Sequence, residues 1–433
     1  MSIQKGPRDG YVLHDRFNIP LSNPSALRFY LQQLLVPHSR REMAVATAAR
    51  AIHFAGWPVS AVLGLRTGSC VSDDDAIVRS VCARLCEPGQ TPHREPSLIT
   101  LADYGHSERG KVVAFGFCHG DKAPRVIIKM SAAPQHVATL EREHANLKAL
   151  RDGIGEALGS TLPEPLAVIR DAGHTAFAEG FMPGRSIYWE MRNSFRPRRL
   201  VERHFTLAVD WLIAFQKATR TGEFRFGDSP PSHGVAASLS DYNRNFSPSA
   251  AERAFITSII RKAAELESER LPAVACQGDF WPRNLLLRKG GLGVLDWENY
   301  SESGSPFFDL FMFATSYGLS YSWKIGRWAA PDAAFRSTFT VNGWMAPVVT
   351  MHLRDYCTRT GVSPDLLEVC FPAFLAQRAV EEMTRSVPSS HTPKRGDAKQ
   401  SSPTQRDTAV KGKTWRRLFQ EYARMASRGS AGF

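Results

Sequence analysis

The stretch from Cys276 to Glu298 constrains this chain more than any other. It reads Cys276-Gln277-Gly278-Asp279-Phe280-Trp281-Pro282-Arg283-Asn284-Leu285-Leu286-Leu287 and, beyond the Arg288-Lys289-Gly290-Gly291 turn, Gly293-Val294-Leu295-Asp296-Trp297-Glu298. Two short apolar runs around a Gly-Gly turn read as a β-hairpin. A hairpin returns the end of its second strand to the start of its first, so Asn284 and Asp296 meet at one end. Gly278 and Pro282 bend the chain just before it, and Asp279 lies in that bend. Singly, Asp and Asn are common turn formers, and Asp296 alone reads as a strand-end cap. Together at these spacings they supply one amide oxygen and two carboxylates to one place. Oxygen ligands of this kind suit Mg²⁺, which keeps water and phosphate in its shell. A carboxylate held off the metal can accept the proton of an attacking hydroxyl.

Upstream, residues 1–96 read as a mainly helical extension. Arg40 to Phe54 carries apolar and Ala positions at helical spacing. Ser72-Asp73-Asp74-Asp75 looks like a cap with acidic residues opening a helix to about Cys86. The pattern changes over residues 97–182. Val112 to Phe117 and Val126-Ile127-Ile128, which ends on Lys129, read as strands around a turn at Gly120-Asp121. Leu140, Glu143, Leu147 and Leu150 follow at helical spacings. Leu166 to Ile169 and Thr175 to Phe181 read as two more strands. Hairpin, strand, helix and two strands make a small α+β lobe on an antiparallel sheet. Over residues 183–386 helices dominate, with Leu200 to Ala218 a long amphipathic one. Residues 387–433 begin with a polar, Pro/Ser-rich segment that reads as disordered, with an amphipathic basic helix at Trp415 to Ala426.

Composition narrows the class. With 43% hydrophobic and 22% charged residues over 433 positions, the chain is neither disordered throughout nor fibrous. The net charge of +12 is mostly tail, since Pro388 to Phe433 holds ten Lys/Arg against three acidic residues. The charge therefore says little about partners of the folded part. Only Trp415, Phe419 and Tyr422 interleave aromatics with it, so nucleic acid is not expected, although the tail offers an anionic partner a contact. Cys70, Cys82, Cys86, Cys118, Cys276, Cys357 and Cys370 include no C-x-x-C. Cys82 and Cys86 read as small core residues rather than ligands, and the usage fits a reducing cytoplasm. The N-terminus has no apolar h-region, and no apolar run reaches the roughly 18 residues of a membrane span.

The Cys276–Glu298 segment resembles the catalytic loop of the aminoglycoside phosphotransferase and choline kinase-like families, which reads H-G-D-x-x-x-x-N followed by hydrophobic-D-W/F-E. The resemblance runs over about residues 97 to 385 and implies a two-lobed, protein kinase-like α+β fold. It implies ATP (GTP is possible) with Mg²⁺ as cofactors and a small-molecule hydroxyl as acceptor. Asp279 is then the catalytic base, and Asn284 and Asp296 the magnesium ligands. Lys129 matches the lysine that contacts the nucleotide phosphates, and Glu143 the helix glutamate that pairs with it. Ala178-Glu179-Gly180-Phe181-Met182-Pro183-Gly184 resembles the hinge whose backbone receives adenine, which puts Glu179 and Phe181 at the nucleotide. Pro306-x-x-Asp309-Leu310 resembles the acidic segment after the magnesium motif, where Asp309 reads equally as a brace or a metal-side group.

The sequence departs from the family pattern in places. The family histidine that braces the loop is Gln277 here, which can still hydrogen-bond. Gly105 and Gly110 do not make a G-x-G-x-x-G loop. These departures motivate an alternative, a non-catalytic kinase-like nucleotide-binding or scaffold protein. A tail-driven binder of nucleic acid or anionic lipid is a third reading. Phe433, with its terminal carboxylate, is a weak candidate for substrate contact.

Overall fold

The computed structural model describes residues 11–14, 17–20, 23–36, 40–54, 66–68, 97–102, 111–117, 120–131, 134–171, 174–194, 197–229, 234–322, 331–385 and 414–431. The Ser72–Cys86 helix, the Gly105–Gly110 stretch, four of the cysteines (Cys70, Cys82, Cys86 and Cys118), the polar part of the tail and Phe433 lie outside these residues. The chain divides into two compact units. One comprises Met1–Ser194 and Arg283–Asn299, the other Phe195–Pro282 and Tyr300–Phe433.

The first unit is built on an eight-stranded antiparallel sheet. Its spatial order is Arg66–Gly68, Tyr11–His14, Phe17–Pro20, Ser97–Ala102, Lys111–Phe117, Val126–Ser131, His174–Gly180 and Pro165–Asp171. The strand carrying Lys129 is buried along its whole length. It runs two residues past Lys129, so the lysine sits inside the strand rather than at its end. Register places Lys129 opposite Phe177 and Ile127 opposite Glu179. The helix Pro134–Gly153 turns one stripe inward. Leu140, Leu147 and Leu150 are buried, and Glu143 is the polar member of that stripe. A smaller sheet pairs Leu285–Arg288 with Gly291–Val294 and with Arg185–Ser186.

The N-terminal segment adds strands to the mainly helical extension expected from its sequence. Its helices are present at Pro24–Phe29, capped by Asn23 Oδ1, and at Arg40–Phe54. Before and after them, three strands of three or four residues lengthen the sheet. Strands this short carry too little period-2 pattern to be read from sequence. Ala26, Phe29, Tyr30, Leu31, Ala46 and Ala49 form one apolar cluster with Phe117. Residues 23–54 therefore share a core with the strands that follow them.

The second unit is mainly helical. Its helices are Pro197–Ala218, Val235–Asn245, Ala250–Glu265, Phe308–Ser322, Pro331–Phe339, Ala346–Thr360, Leu366–Arg385 and Thr414–Ser427. A three-stranded sheet joins Gly222–Arg225, Arg270–Cys276 and Ser301–Gly304. The final helix buries Leu418, Phe419, Tyr422 and Met425, and its Phe419 packs on Tyr242 at 4.2 Å between ring centroids. Arg336 and Asp332 pair with its Glu421 and Arg417. Its apolar face is thus spent on the protein, which leaves little of it for a lipid surface. No helix among the described residues is long and apolar enough to cross a membrane.

Candidate active site

Lys129 is 7% exposed, Glu143 0% and Glu179 3%. Lys129 Nζ lies 2.5 Å from Glu143 Oε1 and 3.3 Å from Glu179 Oε2. The Phe177 ring lies 5.5 Å from the ammonium. Burial alone would lower the lysine pKa, but Glu143, Glu179 and Asp296 together raise it, so the ammonium stays charged. One cation cannot neutralise three acids. Glu179 bears the excess, and burial pushes its carboxyl up to about 7, against the pull of Lys129.

The hairpin forms as its sequence requires. Leu285 pairs with Val294, and the Leu295 N–H donates to the Asn284 carbonyl at 2.8 Å. Asn284, nearly buried, therefore sits across from the residue that precedes Asp296. Asp296 has φ of +61°, the one left-handed non-glycine backbone among the described residues. Asp tolerates this region better than most residues, and such strain clusters where geometry serves a site. The next residue fixes the turn. The Trp297 N–H donates to Glu143 Oε1 at 3.3 Å, and its buried indole donates to the Val294 carbonyl at 3.0 Å. Glu143 thus holds the lysine with the same oxygen that receives the chain after Asp296. Glu143, Asp296 and Glu298 can each offer an oxygen within 4.8 Å of the others. This hard-oxygen set fits a magnesium ion.

Asp279 belongs to a loop of the second unit. The buried Gln277 accepts the Asp279 N–H on its side-chain Oε1 at 2.8 Å. The Gln277 and Gly278 N–H groups donate to the two oxygens of Asp309, at 2.7 Å and 2.9 Å. Gly278 has φ of +85°, a conformation in which a side chain would be strained. The Trp281 N–H closes a tight turn on the Asp279 carbonyl at 2.9 Å. Phe280 anchors the loop against Trp211, stacked at 5.4 Å. Asp309, fully buried in the first turn of its helix, is a brace for this loop. Burial pushes its carboxyl up to about 6, against the two N–H donors. Gln277 thus makes a bracing bond to the loop through its side chain.

The sequence-based site residues are therefore placed as follows. Lys129, Glu143, Glu179 and Asp296 come together, and Asn284 stands at the mouth of the same hairpin. Asp279 is held by its own braced loop, five residues before Asn284. At Phe181 the N–H donates to the Arg125 carbonyl at 2.9 Å and the ring packs on Phe29 at 5.5 Å. That amide is not available to a nucleotide base. Two contributions were not read from sequence, the Glu179 side chain on Lys129 and the Glu298 oxygen beside Asp296.

A model of the phosphotransferase enzyme family matches residues 113–346, more than half of the chain. No curated protein matches by sequence. Among solved structures the chain is similar to a choline kinase from Streptococcus pneumoniae, at 13% identity over 81% of this chain and 100% of that one, with a TM-score of 0.45. It is similar to an aminoglycoside 2'-phosphotransferase in its GDP complex, at 11% identity over 82% and 99% of the two chains, TM-score 0.45. A glucosamine kinase matches at 15% identity over 79% and 84%, TM-score 0.40. From the family match over residues that include Lys129, Glu143, Asp279, Asn284 and Asp296, the chain belongs to the phosphotransferase enzyme family.

Proposed function

We propose that this protein transfers the γ-phosphate of ATP to a hydroxyl of a small molecule, with Mg²⁺ as cofactor. The observation that carries the reading is the buried Lys129–Glu143 pair, whose glutamate also receives the backbone N–H that follows Asp296. Phosphoryl transfer asks little covalent chemistry of a protein and much positioning. Asn284 and Asp296 would hold the metal, with Glu298 as a further oxygen donor. When bound, Mg²⁺ supplies charge neutralisation at the phosphates. Lys129 would meet the nucleotide phosphates. The 178–184 segment would receive the base through carbonyl oxygens, since the Phe181 N–H is spent. GTP fits the same description. Asp279 would accept the proton of the acceptor hydroxyl and aim it in line with the phosphorus. The braces from Gln277 and Asp309 support that role by fixing the loop before substrate arrives.

The acceptor is a sugar, amino alcohol or related metabolite in this reading. The test is transfer of labelled phosphate from ATP to a panel of hydroxyl acceptors by wild type and Asp279→Asn. The variant should lose roughly 10²-fold or more in rate, as expected when a general base is removed, while still binding Mg²⁺·nucleotide. Undiminished transfer by Asp279→Asn would contradict the assignment.

A further inference from the structure

The hinge resemblance gives Glu179 a backbone role only, yet its side chain turns inward. On neighbouring antiparallel strands, Lys129 lies opposite Phe177, and Ile127 opposite Glu179. Side chains two apart on a strand share a face, so Lys129 and Glu179 are diagonal neighbours on one face of the sheet. Their side chains are 9% and 4% exposed, with 3.3 Å between Nζ and Oε2. Glu143 reaches the same ammonium from the helix Pro134–Gly153. A lysine is a point charge on a flexible four-carbon stem. One carboxylate leaves that stem room to swing, whereas two on different elements fix it.

We propose that Glu179 is a positioning residue whose carboxylate, with that of Glu143, fixes Lys129 Nζ where it meets the nucleotide phosphates. The inference rests on the nucleotide site proposed above. Stability does not explain the arrangement. Lys129, Glu143 and Asp296 are the charged groups that act on Glu179, and two of the three are acids. A second carboxylate buried beside the first is costly, and buried ion pairs are weak stabilisers to begin with. The cost is offset if the geometry of Lys129 is what is kept.

The test uses the full chain as wild type, Glu179→Gln, Glu143→Gln and the double variant, with Lys129→Met as an assignment control. Two quantities are read: calorimetric affinities for Mg²⁺·ATP and for adenosine, and the ¹H–¹⁵N signal of the Lys129 ammonium without nucleotide. Glu179→Gln should shift that signal. It should weaken Mg²⁺·ATP roughly tenfold, in line with the cost of misplacing a binding group, and leave adenosine within about twofold. The double variant should depart from the product of the singles, as groups acting on one atom do. An unmoved ammonium signal, an unchanged or tighter Mg²⁺·ATP affinity, or an equal loss for adenosine would overturn the proposal. Should wild type bind neither nucleotide, the nucleotide reading fails by itself, and the ammonium signal alone decides whether Glu179 holds Lys129. If Glu179→Gln does not fold, Glu179→Asp, which withdraws the carboxylate by one methylene, gives the same readouts.

Discussion

Lys129 shows how much one residue's neighbours decide. A single buried ammonium faces Glu143, Glu179 and Asp296, and the surplus of acid lands on Glu179. A carboxyl whose folded pKa lies above its unfolded value binds more proton when folded. Its contribution to stability therefore falls as pH rises through the window between 4.5 and about 7. Lys129 does not confound this, because its raised pKa acts only above the ordinary lysine range. The stability of wild type relative to Glu179→Gln, measured by urea unfolding, should accordingly be higher at about pH 5 than at about pH 8. A difference that is flat or of opposite slope would contradict the surplus-acid account. The pairing of Lys129 with Glu143 was anticipated by the family resemblance alone, since spacing put Glu143 on a helix with Leu140, Leu147 and Leu150 without saying that it is buried or what it meets. The inward turn of Glu179 was not, since alternation along a strand names two faces without saying which is buried.

At the scale of elements, the hairpin and the catalytic loop behave differently. The hairpin was legible because a Gly-Gly turn between two short apolar runs fixes register, and with it the bond that sets Asn284 across from Leu295, the residue before Asp296. The loop was legible only in its residue types. Its brace comes from Asp309, more than thirty positions along, and no local pattern announces that the carboxylate there receives two backbone N–H groups. Sequence left Asp309 between two roles, and tertiary structure assigns one. Replacing it with Asn keeps the shape but removes one acceptor from a buried pair of donors. Asp309→Asn should lose about 1–3 kcal/mol of stability, the usual cost of an unsatisfied buried group, as read by urea unfolding, and should slow phosphate transfer. Unchanged stability would show that the loop stands without this brace. The same limit hid the short N-terminal strands, whose pairing partners, not their own residues, make them strands.

At the scale of the whole molecule, length suggested more than one domain, and the strand and helix patterns along the chain a small sheet-based lobe before a helical one, but not that residues 283–299 belong with the sheet. The amphipathic character of the final helix was visible in its sequence, while its destination was not. Phe419 is fully buried among aromatic neighbours, including Tyr242 and Phe255. Phe419→Ala should cost about 3–5 kcal/mol by cavity formation, seen as a lowered unfolding midpoint. A cost below about 0.5 kcal/mol, as for a surface change, would mean that this helix is not docked.

The central claim is that the Lys129 and Asp296 cluster holds a magnesium-bound nucleotide. A thermal-shift titration with ATP and GTP, with and without Mg²⁺, on wild type and Asp296→Ala tests it most directly, because a ligand that binds only the folded state raises the melting temperature. The account predicts a rise that needs Mg²⁺ and disappears in Asp296→Ala. No rise with either nucleotide, or a rise that survives in Asp296→Ala, would contradict it.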